Sequence, residues 1–228
     1  DMEVEMLNNL NIKCKLCGCT EVELQDYKIR NITDDSCKMY KCKNCETHFM
    51  YPLPSQDLSE YYDGTFREEV HTADYYDYTE LDKVFNNFLG EAKLRTERVK
   101  NDLSANDKIL EIGSSVGYFT AAISAYVKDV YATEWDSKAR AYIKDRLTKY
   151  NIHVAKNPED FETKFDKIFM FHVLEHIEKP IDFLKNLKQL LNENGKIYIE
   201  VPNVDDVMLK TFRCRPFIEH YYKKAHLF

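Results

Sequence analysis

Residues 109–119, "ILEIGSSVGYF", decide how this chain is read. An apolar run runs into a turn bracketed by Gly113 and Gly117, and an apolar helix start follows. That order reads as a buried strand, a tight turn and a helix. Gly113 lets the chain turn without a Cβ, and Gly117 lets backbone approach a ligand at the helix start. In an open parallel sheet such a turn, beyond the carboxyl end of the first strand, is where ligands bind. A nicotinamide or flavin fingerprint would need glycines at 113, 115 and 118, whereas this chain has Gly113, Ser115 and Tyr118. A tyrosine where helix and strand must pack closely argues against a dinucleotide.

The alternation continues on both sides of the turn. Leu81, Val84, Phe85, Phe88, Leu89 and Ala92 recur at three- and four-residue steps, predicting a helix of about twenty residues that ends near Leu103. Thr79 and Asp82 resemble a capping box at its start. After the first strand come a helix over 117–126, a strand "VYATE", a helix over 137–150, a short strand "IHVA" and a strand "FDKIFMFH". An amphipathic helix over 181–191 and a strand "KIYIEVP" close the series. Strands and helices alternating at these lengths predict an α/β, Rossmann-like, doubly wound and mostly parallel sheet covered on both faces.

Two acidic residues define what the turn holds. Glu111 lies inside the end of the first strand, where a carboxylate suits an ammonium group and would repel a pyrophosphate. Glu134 closes the next strand, 23 positions on, where it can accept hydrogen bonds from both ribose hydroxyls. Trp135, the only tryptophan, follows and can stack on or wall off a purine. The expected ligand carries an adenosine and an amino-acid end and no phosphates.

"LEIGSSVGYF", "ATEWD", "KFDKIFMFHVLEHIEKP" and "LLNENGKIYIEVPN" together, in order and at normal spacing, resemble the successive motifs of class I S-adenosylmethionine-dependent methyltransferases over roughly residues 79–203. The resemblance implies S-adenosylmethionine as cofactor. Glu111 with the turn residues Gly113, Ser114, Ser115, Gly117, Tyr118 and Phe119 would receive the methionine end, Glu134 the ribose and Trp135 the adenine edge. Phe171 and His172, at the end of the fourth strand, would lie near the methionine or the acceptor. Ser115 departs from the family's middle glycine.

"HVLEH" has a competing reading. His172, Glu175 and His176 match H-x-x-E-H, the inverted zinc-peptidase signature, but that motif must lie within a helix and here a strand leads directly into it. Methyl transfer mainly requires alignment of the acceptor, and a base helps where that acceptor is a hydroxyl or an acidic carbon. His172 and His176 are the catalytic candidates, His172 the better base and His176 closer to a packing or capping role. No Asn-Pro-Pro-Tyr-type motif stands at this place, which favours oxygen or carbon acceptors over an exocyclic amine.

The cysteines point to a metal. Six of the seven fall within residues 1–52, and two C-x-x-C pairs, Cys14 with Cys17 and Cys42 with Cys45, are separated by 24 residues. Such spacing predicts a closed, structural four-thiolate zinc site that supplies much of the folding free energy of an apolar-poor segment. Cys19, Cys37 and Cys214 read as ordinary thiols, and His48 as an alternative ligand. The expected organisation is a zinc-ribbon module over 1–52, a tyrosine-rich connector or lid over 53–78, and the cofactor-binding domain over 79–228.

Zinc knuckles, "HFMYPLPS", "LSEYYDGTF" and the methyltransferase core in one chain resemble bacterial sugar C- and O-methyltransferases acting on nucleotide-linked or polysaccharide sugars. The resemblance implies a small-molecule, sugar acceptor, with the tyrosines at 61, 62, 75, 76 and 78 part of a lid. An acceptor in ribosomal RNA and a non-catalytic cofactor-binding scaffold are the rival readings. A formal charge of −7 disfavours nucleic acid. No signal pattern and no bilayer-length apolar run is visible, which predicts a cytoplasmic protein away from membranes. The family fold usually continues past the fifth strand, yet about 25 residues follow Pro202, so the sheet is expected to lack its last strands or to be covered by a partner, a homodimer included.

Overall fold

The computed structural model describes residues 12–32, 36–54, 58–64, 66–68, 77 and 79–228. The chain divides into two compact units, one drawing on residues up to 55, 172–186 and 200–228, the other on residues 56–171 and 187–199.

The second unit holds the parallel sheet. Its strands are β4 (Lys108–Ile112), β5 (Asp129–Thr133), β6 (Ile152–Ala155), β7 (Phe165–Phe171) and β8 (Leu191–Glu200), in the order β6-β5-β4-β7-β8. β4 pairs in parallel with β5 and β7, and β5 with β6. The chain therefore winds outward from β4 through β5 to β6, then crosses back to β7. The reversal lies between β4 and β7, so the turn after β4 opens at the switch point.

Helix α2 (Leu81–Val99) covers one part of this sheet with the predicted stripe, and α3 (Tyr118–Ile123) and α4 (Ser137–Arg146) follow β4 and β5. Val84 and Phe85 pack with Val116, Ala121, Ile143 and Leu147. A second cluster joins Ala92 to Ile109, Phe119, Ile123, Val130 and Phe169. β4 is buried along most of its length, which explains why it reads as continuous apolar sequence interrupted only by Glu111.

Three local expectations need correction. The capping box at Thr79 and Asp82 does not form: α2 begins after Glu80 with no side-chain cap, Thr79 donates to Asp77, and Asp82 accepts from Tyr142 Oη at 2.9 Å. Asp77, two residues before Thr79, offers the nearer acceptor. The helices expected over 117–126 and 137–150 are shorter, and Thr148–Tyr150 tightens into a 3₁₀ turn. β8 starts at Leu191 rather than Lys196, with left-handed backbone at Asn194 (φ 63°).

The first unit contains an antiparallel sheet of β1 (Val22–Gln25), β2 (Lys38–Cys42) and β3 (His48–Tyr51). Phe49 and Met50 are fully buried, Phe49 with Ile12, Tyr40 and Cys42, and Met50 with Ile29, Met39 and Tyr222. Tyr222 is the residue that follows α7 (Arg215–Tyr221), and Met50 N donates to Leu227 O at 2.9 Å. Chain after residue 200 thus completes the core of the antiparallel sheet. Among the described residues no helix is long and apolar enough to cross a membrane.

Candidate functional site

The turn after β4 requires left-handed backbone three times. Gly113 (φ 71°), Ser115 (φ 49°) and Gly117 (φ 78°) all occupy that region, so Ser115 adopts the conformation a glycine would take without strain. The β5 carbonyl of Thr133 accepts from both Gly113 N (2.9 Å) and Ser114 N (3.0 Å), and Gly117 N donates to Ser114 O at 2.9 Å. A Cβ on Gly117 would come within 3.0 Å of Ile143 Cγ1 and Leu147 Cδ1. Gly117 therefore allows α3 to press against α4 directly.

Two polar groups at this turn are buried with no hydrogen-bond partner: Glu111 Oε2 and Ser114 Oγ. Burial pushes the Glu111 carboxyl well above its ordinary range, opposed by Arg95 and the Thr120 backbone N–H and reinforced by the charge of Glu134. Arg95 escaped the sequence reading. It continues the α2 stripe three residues beyond Ala92, is almost fully buried, stacks over Phe171 at 4.7 Å and pairs with Glu91 at 2.7 Å. An arginine on an otherwise apolar helical stripe was the signal for it.

Glu134 is held rigidly at the end of β5. Oε2 accepts from Ser115 N at 2.7 Å and Oε1 from Asp136 N at 3.0 Å, which leaves further lone pairs on both oxygens. Burial raises its carboxyl, and these backbone donors oppose the rise. Trp135 is half-buried, with Tyr62 at 6.2 Å. Asp136, buried, caps α4 by accepting from Lys138 N (2.8 Å) and Ala139 N (3.2 Å), and forms a buried ion pair with Arg67. Asp63 accepts from Ser137 N at 2.7 Å, and Arg140 donates to the carbonyls of Glu134 and Trp135. The segment carrying Tyr61, Tyr62 and Arg67 is thus tied to the turn after β5. Tyr75, Tyr76 and Tyr78 lie outside the described residues.

Of the remaining cofactor candidates, Tyr118 is half-buried against Phe88 (5.5 Å). Phe119 is fully buried in the core, 5.1 Å from Phe169 and 4.6 Å from Phe171.

His172 follows β7 in left-handed backbone (φ 55°), a strained conformation for histidine of the kind that clusters at functional positions. Its N–H donates to Glu200 O at 2.9 Å, Nδ1 lies 3.3 Å from Glu175 Oε1 and Nε2 3.3 Å from Glu200 Oε1. Leu174–His176 is a single 3₁₀ turn, so the helix that the zinc-peptidase signature demands is absent here. His176 instead donates from Nδ1 to Ala225 O at 2.6 Å.

The methyltransferase domain profile matches residues 79–228, about two-thirds of the chain. The chain belongs to this methyltransferase family. Among curated relatives, the tRNA U34 carboxymethyltransferase of Campylobacter hominis is 28% identical over 107 residues, 43% of this chain and 37% of the relative. A probable S-adenosylmethionine-dependent methyltransferase of Mycobacterium tuberculosis is 24% identical over 110 residues, 47% of this chain and 39% of the relative. The chain spans less than two-fifths of the length of these relatives. The plantazolicin methyltransferase BpumL, solved with SAH, matches with a TM-score of 0.51 at 19% identity, covering 72% of this chain and 65% of that one, a likeness of fold.

The turn residues of this family member fit an S-adenosyl group. A buried acidic acceptor and a buried hydroxyl both lack partners, Glu134 is fixed with lone pairs to offer, and the glycine turn brings backbone close.

The fold also brings together the four cysteines predicted as ligands. One sulfur from each of Cys14, Cys17, Cys42 and Cys45 lies within 4.8 Å of the others, and all four are free thiols. The two knuckles repeat one backbone pattern: Gly18 N donates to Cys14 O and Glu46 N to Cys42 O, each at 2.9 Å, while Cys14 N and Cys42 N bond Cys19 O and Thr47 O. Both Gly18 (φ 73°) and Glu46 (φ 59°) are left-handed, the conformation that aims successive donors at one point. Hydrogen bonding, chiefly from Asn44, lowers the Cys17 thiol to about 6, whereas burial raises Cys14 to about 12. His48 is not among them, because its Nδ1 meets Tyr222 Oη at 2.8 Å.

Proposed function

We propose that this chain transfers a methyl group from S-adenosylmethionine to a small-molecule acceptor, a nucleotide-linked or polysaccharide sugar. The observation that carries the reading is Glu111, a buried carboxylate at the switch-point turn with one oxygen unpartnered. When bound, S-adenosylmethionine supplies an electrophilic methyl group on a sulfonium. Glu111 would bind the amino-acid ammonium, the Ser114 hydroxyl the methionine carboxylate, Glu134 the ribose hydroxyls and Trp135 the adenine edge. His172 would take the proton from the acceptor hydroxyl or acidic carbon, its imidazolium stabilised by carboxylates 3.3 Å from each ring nitrogen. The four cysteines would hold a structural zinc ion that braces the antiparallel sheet, forming the ribbon module ahead of the cofactor-binding domain.

The sugar acceptor rests on the resemblance of the combined zinc-knuckle, connector and core motifs. A tRNA acceptor is the second reading, supported by the names of the Campylobacter relatives. The charge of −7 opposes it, since a phosphate backbone would be repelled over most of the surface. The test is transfer of an isotopically labelled methyl group to a panel of nucleotide-linked sugars and to tRNA. Label on a sugar, lost in Glu134→Ala and reduced in kcat with unchanged SAH affinity in His172→Gln, is the expected result. A folded chain that binds no SAH removes the reading, and label on tRNA alone replaces the sugar with a nucleic acid.

A further inference from the structure

In the unit built around the antiparallel sheet, the turn after β7 and the end of the chain meet at a second cluster of ligand-type side chains. One ligand atom from each of Glu175, His176 and His226 lies within 4.8 Å of the other two. Glu175 has no exposed surface, and among the described residues neither of its oxygens has a hydrogen-bond partner. His172 Nδ1, cationic only when the ring is protonated, stands 3.3 Å from Oε1. A fully buried carboxylate without donors costs several kcal/mol. Such an orphan calls for a ligand, commonly a water or an ion.

The two histidines are oriented as metal ligands are. His176 Nδ1 donates to Ala225 O at 2.6 Å and His226 Nδ1 to Tyr221 O at 2.7 Å, and since a carbonyl only accepts, the proton of each ring sits on Nδ1. The in-plane lone pair of each neutral ring is then on Nε2. Backbone carbonyls fixing the far nitrogen are the outer-shell arrangement that sets ring tautomer in metal sites. The rings stand edge to face with centroids 4.9 Å apart. Leu227 N also donates to Glu175 O at 2.8 Å, which holds the chain end against the same turn.

We infer that Glu175, His176 and His226 form a second metal site, a two-histidine, one-carboxylate set for a divalent first-row transition ion, separate from the four cysteines. Imidazole nitrogen and carboxylate oxygen at about 2.0–2.2 Å suit zinc or iron(II), and three protein ligands leave a coordination position open. Small rotations of the three side chains close them about one ion. The site takes no part in the cofactor assignment, and its test reads metal rather than methyl transfer.

The test is cobalt(II) titration of the full chain stripped of metal, followed by absorption and by metal analysis after desalting. The expected result is two ions per chain, one giving the thiolate-to-cobalt charge-transfer band of the cysteine site, the other adding only ligand-field bands. Glu175→Gln and His226→Gln should each lose one equivalent and keep the charge-transfer band, while His153→Ala, an exposed histidine elsewhere, keeps both. Wild-type chain that takes up only thiolate-bound cobalt overturns the inference whatever the variants do, as do folded variants that retain two ions.

Discussion

Replacing Gly117 by alanine tests the packing of the cofactor turn most directly. The left-handed backbone at this position (φ 78°) costs a residue with a Cβ about 1–2 kcal/mol. The new methyl would also stand 3.0 Å from Ile143 Cγ1 and Leu147 Cδ1 and 3.1 Å from Thr120 Oγ1. Ile143 and Leu147 are buried and Thr120 is fixed by donating to the Gly117 carbonyl, so relief requires α3 and α4 to separate. Overpacking of this kind costs about 1–3 kcal/mol. The sum, about 2–5 kcal/mol, corresponds to a fall in Tm of about 4–20 °C for a chain of this size. Urea unfolding followed by far-ultraviolet circular dichroism measures it. Ser115→Gly is the matched control two residues away: glycine relieves left-handed strain (φ 49°) while adding unfolded-state entropy, so it should fall within about 1 kcal/mol of wild type on the stabilising side. A Gly117→Ala variant within about 0.5 kcal/mol of wild type, or a Ser115→Gly variant as damaged as it, would refute the reasoning.

Glu134→Ala removes the acceptors proposed for two ribose hydroxyls, and a charge-assisted hydrogen bond contributes about 1.5–3 kcal/mol, so SAH affinity by calorimetry should fall by at least about 10-fold. Glu111 gives a pH signature. Its folded-state carboxyl is raised above the ordinary 4.5, so its contribution to the stability of the unliganded protein is full below that value and is lost as pH rises through the folded one. An arriving ammonium reverses the preference, so S-adenosylmethionine affinity should strengthen with pH across the same window in wild type and be flat in Glu111→Gln. Arg67→Ala leaves Asp136 buried and unpaired, and denaturant unfolding should register a loss of about 3–5 kcal/mol. Chelation of the zinc proposed for the four cysteines should abolish the slow amide exchange expected of Met39 and Met50 while β4 stays protected, and unchanged exchange at both would argue against a folding role for the metal.

Local sequence determined the parallel architecture, because a buried parallel strand must read as an apolar run and each crossover as a helical stripe. β4, β5, β7 and α2 were legible on that ground. So were Glu111, Glu134 and Gly117, since a carboxylate in a buried strand end and a glycine at a helix start are each costly unless something uses them. The cysteine pairs were legible from spacing alone, because a knuckle closes within a few residues. What stayed hidden depends on partners remote in sequence. Arg67 meets Asp136, the cap of α4, across 69 positions, and Met39 and Met50 find Tyr222 from the far end of the chain. His226, unreadable as a lone histidine near the end, stands beside Glu175 and His176 only because folding returns residues 225–227 to the turn after β7. Periodicity and spacing report contacts within a turn or two of the chain, whereas a cluster assembled over 50 residues exists only once burial has drawn its members out of water.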